Sequence, residues 1–314
     1  MQWTPPSRPQ RQAGGVHCGN LSTVRAVVTG GNRGVGYFVA EQLATVGAEV
    51  VVATRSDASA ALQSIRQRVP GARLTSVHLD LSSLPSVAAA AHEMSGLGPI
   101  DVLINNAGLT GGSNTRAETA DGLELIVGTN HLGPFALTAQ LFPALSETAR
   151  VVSLGSLSTR LAKADLDDLM ATRRRYSLSR AYATSKHAVH AFALELDRRL
   201  RAAGSAKLSL LAHPGFALDA LGETVEGVTD LGSKGSRFGE YLLAPMAQGK
   251  DKGAWPVVRA ATDPDAVGGE FYGPRRLVRG IPTVQKPVAQ SADPEFGRRL
   301  WTLSEELTGV RFDV

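Results

Sequence analysis

Thr29-Gly30-Gly31-Asn32-Arg33-Gly34-Val35-Gly36 is the stretch whose reading decides the fold. It joins a short β-branched run, residues 24–29, to a segment with helical apolar spacing, residues 37–46, that stops at Gly47. Small residues at such a junction let the backbone come close to a phosphate. The helix that follows offers free N–H groups and the positive end of its dipole. The spacing is Gly-x-x-x-Gly-x-Gly, which differs from the Gly-x-Gly-x-x-Gly dinucleotide fingerprint. Taken alone, these glycines are as readily a structural turn. Their place directly after the first strand favours a cofactor loop.

Outward from this loop, strand and helix signals alternate. Apolar strands are expected at residues 49–53, 74–79, 101–105, 150–154 and 207–212, with a short seventh at 269–272. Helical patterns fit between them, notably at 86–94, 123–145 and 181–203. Apolar strands separated by helices indicate an α/β fold: a Rossmann-type, doubly wound parallel sheet of about seven strands with helices on both faces. Such a sheet binds ligands outside the carboxyl ends of its strands. Residues 1–20 hold three prolines and no apolar periodicity, and read as a disordered tail. Residues 21–314 read as a single catalytic domain, with no internal repeat and no linker.

Composition narrows the classes. The chain has 314 residues, of which 43% are hydrophobic and 20% charged, so neither a fully disordered nor a fibrous protein is expected. Its one cysteine, Cys18, excludes an intrachain disulfide and a cysteine-rich zinc site. No apolar run approaches the roughly 20 residues needed to span a bilayer, and no secretory pattern follows Arg8 and Arg11. A cytoplasmic protein without a membrane span is expected. The formal net charge of +4 comes from basic residues spread along the chain; only Arg173, Arg174 and Arg175 form a run of three. No aromatic residues interleave with that run, so a solvated basic surface is a better reading than nucleic-acid binding. The seven histidines form no zinc-type cluster in sequence, so no metal is expected. His187 and His190 read as surface residues.

Further motifs follow the loop in order: Asp80-Leu81 after the third strand, Asn105-Asn106-Ala107-Gly108 at the end of the fourth, Tyr182-Ala183-Thr184-Ser185-Lys186, and Pro214-Gly215 after the sixth. Together with the glycine loop, this set resembles the short-chain dehydrogenase/reductase family from about residue 24 to residue 274. The resemblance implies cofactor contacts at Gly30, Asn32, Arg33, Gly34, Val35, Gly36, Arg55, Asp80, Leu81, Asn106, Ala107, Gly108, Tyr182, Lys186, Pro214 and Gly215. Asp80 resembles the acid that contacts the adenine ring. Catalytic roles are implied for Ser156, Tyr182, Lys186 and Asn130, with Asn130 resembling the residue that holds a water for proton relay to the lysine.

Two positions decide between the nicotinamide cofactors. An acid at the end of the second strand would bind the ribose 2′-hydroxyl, whereas arginine suits a 2′-phosphate. Here that strand ends Ala53-Thr54-Arg55-Ser56, and Arg33 lies inside the glycine loop. Two guanidinium groups can clamp a phosphate, so NADP(H) is expected. Asp57 is an alternative ribose ligand, and both arginines are alternatively solvent-facing loop charges.

Tyr182 and Lys186 are four apart on an expected helix and share a face. Free tyrosine, with a pKa near ~10, is a poor acid–base catalyst at neutral pH, and a neighbouring ammonium favours the phenolate. A tuned tyrosine exchanges a proton with a carbonyl or alcohol oxygen, while a serine hydroxyl orients that oxygen. The expected reaction is NADPH-dependent reduction of a carbonyl, or oxidation of the matching alcohol. Alternatives are reduction of a carbon–carbon double bond on the same fold, or a regulator that binds NADP(H) without chemistry.

Tyr182 lies 26 positions after Ser156, so residues 157–181 read as an insertion. This long interval is similar to that of the retinol dehydrogenase and protochlorophyllide reductase branch, which implies a bulky apolar carbonyl or alcohol substrate. Asp219 stands near the place of a family threonine that contacts the nicotinamide. Residues 216–250 are expected to form a substrate lid, a segment that carries Phe238 and Tyr241, with Phe216, Tyr241 and Trp255 as candidate apolar walls or core residues. The arginine-over-lysine bias and abundant alanine fit a GC-rich bacterial gene, hence secondary metabolism. The family resemblance implies a dimer or tetramer, and its longer branch also includes monomers.

Overall fold

The computed structural model describes residues 21–218, 221–228 and 246–314. The expected tail, Asp219, Phe238, Tyr241 and much of the expected lid lie outside the described residues. The strands are β1 (Arg25–Thr29), β2 (Glu49–Thr54), β3 (Leu74–His78), β4 (Ile100–Asn105), β5 (Leu145–Leu154), β6 (Leu208–Ala212), β7 (Ala217–Leu218), β8 (Gln248–Gly249), β9 (Phe271–Pro274) and β10 (Pro282–Gln285). The main sheet has the order β10-β9-β6-β5-β4-β1-β2-β3, and β7 and β8 form a separate parallel pair. Every pairing of the main sheet is parallel except β9 with β10.

Side chains alternate strictly between two buried faces. Ala26 and Val28 of β1 belong to one apolar cluster and Val27 to the other. The pattern repeats with Val50 and Val52 against Val51, and with Val102 and Ile104 against Leu103. Because both faces are covered, consecutive strand positions are all apolar. One face is covered by α1 (Gly34–Thr45), α2 (Ser59–Arg68) and the helix Trp255–Thr262. The other is covered by α3 (Leu84–Ser95), α5 (Gly133–Leu141) and α6 (Leu178–Ala202), with α4 (Leu125–Val127) preceding α5.

The chain winds outward from β1 to β3 and then back across to β4, β5 and β6. The carboxyl ends of β1 and β4 therefore flank the switch point, where an open α/β sheet leaves a crevice. Helix α6 projects its first turns there and is anchored farther along. Phe192 packs on Phe135 with ring centroids 5.6 Å apart, and Trp301 of the C-terminal helix Pro294–Thr308 stacks on Phe312 at 4.8 Å.

The structure corrects several expectations. Among the described residues the main sheet has eight strands where about seven were expected: the short seventh lies at Phe271–Pro274, and β10 pairs antiparallel with it at the edge. The helix expected over 123–145 is broken into α4, a π-helical turn at Gly128–Leu132, α5 and a 3-10 turn at Phe142–Ala144. Pro143 lacks the N–H that would continue α5, and β5 begins two residues later. Residues 157–181 carry two 3-10 turns, Leu157–Arg160 and Leu166–Asp168. Leu166 and Leu169 are buried with Ala188, Ala191 and Leu300, so this segment is part of the packed body.

Candidate active site

The cofactor positions named from the sequence line one cleft of about 880 Å³ at the carboxyl end of the sheet. Its floor is backbone. A Cβ at Gly36 would collide with the Gly30 carbonyl, so the helix can start this close to the strand only with glycine there. Thr29 joins β1 to β4: its Oγ1 accepts from the N–H groups of Asn106 (3.0 Å) and Ala107 (2.9 Å) and donates to the Ile104 carbonyl (3.2 Å). The Asn106 amide donates to the Thr29 carbonyl at 2.7 Å. These bonds satisfy polar groups where the ladder ends, and hold the 106–108 segment open toward the cleft.

Arg33 and Arg55 both line the cleft. The Arg55 side chain is 61% exposed and lies 4.0 Å from Asp80, a separation that leaves it available to a ligand. Asn32 donates to Ser56 Oγ at 3.0 Å and ties the glycine loop to the end of β2. Asp57 does not line the cleft. Its Oδ1 accepts from the Ser59 N–H (3.0 Å) and hydroxyl (2.7 Å) at the start of α2, bonds that lower its carboxyl below the usual range. Lys250 is a lining residue that sequence reasoning missed. A Cβ at Gly34 would lie 3.7 Å from its Nζ, so it stands over the start of α1. It is over 200 positions from the loop, and no local pattern points to it.

Ser156, Tyr182 and Lys186 also line this cleft. The Ser156 side chain lies near enough to Tyr182 to act on its phenol, and Lys186 Nζ donates to the Leu154 carbonyl at 2.8 Å, 5.9 Å from the centre of the Tyr182 ring. Lys186 is 5% exposed, and burial pulls its ammonium down to about 8. The Tyr182 phenol is raised: burial is the larger effect, and the nearby Ser156 side chain only partly offsets it. The expected ammonium-lowered phenol is thus corrected, because desolvation dominates. A neutral Tyr–OH beside a buried lysine can donate a proton. A second cavity, of about 610 Å³, shares Tyr182 and Thr110 with the cleft. Leu161, Ala162, Leu178 and Ala183 give it apolar walls, and Ser158, Ser177, Ser179 and Arg180 add polar ones.

Asn130 sits in the π-helical turn and does not line the cleft. Its side chain accepts from the Leu109 N–H (2.7 Å) and donates to the Leu109 carbonyl and to Ser185 Oγ (both 3.0 Å). It therefore braces the strand-four loop against α6, a placement typical of π-bulges at functional sites. Phe216 lines the cleft and is 38% exposed, whereas Trp255 lines neither cavity.

The two histidines expected at the surface are buried, each 1% exposed. His187 bonds Ser291 Oγ at 2.8 Å and the Ala162 carbonyl at 2.7 Å, holding the 157–181 segment to α6. His190 Nε2 accepts from the Ser156 N–H at 3.2 Å. The usable signal was the row Tyr182, Lys186, His190, spaced by four along one helix. Among the described residues, no group of three or more His, Cys, Asp or Glu side chains is placed to hold a metal. No helix there is long and apolar enough to cross a membrane.

A doubly wound sheet with a phosphate-sized glycine loop at its switch point, and a Ser–Tyr–Lys group beside it, defines the class of nucleotide-dependent oxidoreductases. A family model for short chain dehydrogenase matches residues 24–215, and the chain belongs to that family. It is 36% identical to polyprenol dehydrogenase of Mus musculus over 91% of this chain and 84% of that one. It is 33% identical to retinol dehydrogenase 13 of Homo sapiens, over 90% of this chain and 84% of that one, which places it in the retinol dehydrogenase-like branch. A crystal structure of an uncharacterized protein from Mycobacterium Paratuberculosis superposes with a TM-score of 0.74 at 35% identity, covering 93% of this chain and 95% of that one.

Proposed function

We propose that the protein is an NADP(H)-dependent oxidoreductase that interconverts a carbonyl and an alcohol on a bulky, largely apolar substrate. The observation that carries this is the position of Tyr182, whose side chain borders both the 880 Å³ cleft and the 610 Å³ cavity. The cleft suits a dinucleotide. Its backbone floor and the start of α1 fit a pyrophosphate, with the Lys250 ammonium close by. Arg33 and Arg55 fit a 2′-phosphate, and the competing acid, Asp57, is engaged by Ser59. The cofactor, when bound, supplies or accepts the hydride.

The chain's own groups handle the oxygen. Ser156 orients it, and neutral Tyr182 gives it a proton during reduction. Lys186, fixed by the Leu154 carbonyl, supplies positive charge behind the phenol and restores its proton. Asn130 acts by bracing Leu109 and Ser185 around this group. A cavity with Leu161, Leu178, Ala162 and Ala183 on its walls favours an extended or polycyclic apolar body over a small polar one.

A panel of polycyclic, aromatic and aliphatic ketones and aldehydes, followed by loss of NADPH absorbance, tests the reading. Turnover is expected with the bulky apolar members. Tyr182→Phe is expected to lower kcat by about 10²–10⁴-fold while NADPH binding persists. Undiminished turnover in that variant, or NADPH binding with no turnover of any member, would overturn it.

A further inference from the structure

We infer that His190 is a positioning residue for this reaction: its Nε2 holds the backbone of Ser156 so that the serine hydroxyl proton points at the reacting oxygen. The inference rests on the proposed reaction. Its ground is the accounting of hydrogen bonds at Ser156. The Ser156 N–H donates to His190 Nε2 at 3.2 Å. The Ser156 carbonyl accepts from Thr159 Oγ1 at 3.1 Å, and Ser156 Oγ accepts from the Ser158 N–H at 3.2 Å. With the backbone donor, the backbone acceptor and one hydroxyl lone pair all engaged, the hydroxyl proton is left for Tyr182 or a substrate oxygen.

The chain makes room for this ring. A Cβ at Gly155 would collide with His190 Nε2, so the residue before the serine is the one type that lets the imidazole reach it. The ring is fixed from its other side by Phe271, whose centroid is 4.9 Å away in an edge-to-face arrangement. His190 lies one helical turn beyond Lys186, so the same face of α6 carries the proton donor, the cation and the brace for the serine.

The accepting role of Nε2 puts the ring proton on Nδ1, which has no partner among the described residues. An unpaired buried donor is costly. A side chain chosen for packing alone would avoid it, whereas one needed for its acceptor would not. Burial, and then the Lys186 charge, push this imidazole down to about 3, so it stays neutral and its Nε2 lone pair stays available near neutral pH.

Three variants, assayed with a ketone that the wild type reduces, test the inference. His190→Met keeps volume but offers no comparable acceptor. It is expected to lower kcat at least tenfold, with KM for NADPH within twofold of wild type. His190→Gln places Oε1 close to where Nε2 stood and is expected to recover most of that loss. In a Ser156→Ala background, His190→Met is expected to cost no further kcat, because the group it positions is gone. If His190→Met does not fold, His190→Asn takes its place, since its oxygen falls short of the Ser156 N–H. Wild-type kcat in the acceptor-free variant, no recovery with Gln, or a full loss in the Ser156→Ala background would each overturn the inference. Absence of any wild-type turnover would instead count against the proposed reaction itself.

Discussion

On the β1–β4 side of the cleft the wall is mostly backbone: Gly30, Gly34, Gly36 and the 106–108 segment, with Thr29 joining the two strand ends. On the β5–α6 side it is side chains: Ser156, Tyr182 and Lys186, held from behind by His190, His187 and Asn130. The first wall can be read from a short run of sequence, because backbone approach demands particular small residues at fixed spacing. The second is assembled from residues whose partners lie 21 to 104 positions away, so its supports look like ordinary polar residues until the packing is known.

The largest effect that separates the two walls is on cofactor preference. Replacing Arg33 and Arg55 together by alanine is expected to raise KM for NADPH by about 10–100-fold while KM for NADH stays near its original value. That is the range for losing a charge-assisted bond of about 1.5–3 kcal/mol at roughly 1.4 kcal/mol per tenfold. Asp57→Asn serves as the control. It is expected to lower Tm slightly through its contact with Ser59 and to leave the NADPH/NADH ratio unchanged. A change of preference in the control would mean that the acid, and not the arginines, meets the ribose.

A smaller effect probes the side-chain wall. The proposed reduction consumes a proton, so in it the protonated forms of Tyr182 and Lys186 are the working ones. Because burial lowers Lys186 to about 8, raising the pH through that value removes its charge, and kcat for reduction falls. One pH unit above the midpoint the loss is about tenfold, as for any single titrating group. Lys186→Arg is expected to retain some turnover and to lose this alkaline limb, since guanidinium stays charged. A pH–rate profile of both proteins checks this. An unchanged limb in the variant would assign it to another group.

The parallel strands β1 to β6 were legible because burial on both faces makes them continuous apolar runs. The edge strand β10 was not. Its sequence, Pro-Thr-Val-Gln, has a proline at its start and no apolar run, and it pairs on one side only. The helix break around Asn130 was hidden because the apolar pattern continues through Leu132 and Phe135, while a π turn and Pro143 change the geometry beneath it. Tyr182 and Lys186 were legible as a pair four apart. The sense of their titration was not, because it depends on burial by distant elements. His187 and His190 were misplaced for the same reason: polar residues on a long helix signal solvent until a serine or a carbonyl is found facing them.

In the proposed reaction hydride crosses at the junction of the two cavities, and Tyr182 supplies the proton. The most direct measurement incubates the enzyme with NADPH deuterated at the transferable C4 position and a bulky apolar ketone, then locates the label by mass spectrometry. One deuterium is expected on the carbinol carbon of the alcohol, formed only while NADPH is consumed. Alcohol without the label, or deuterium at a neighbouring carbon after reduction of a carbon–carbon double bond, would contradict it.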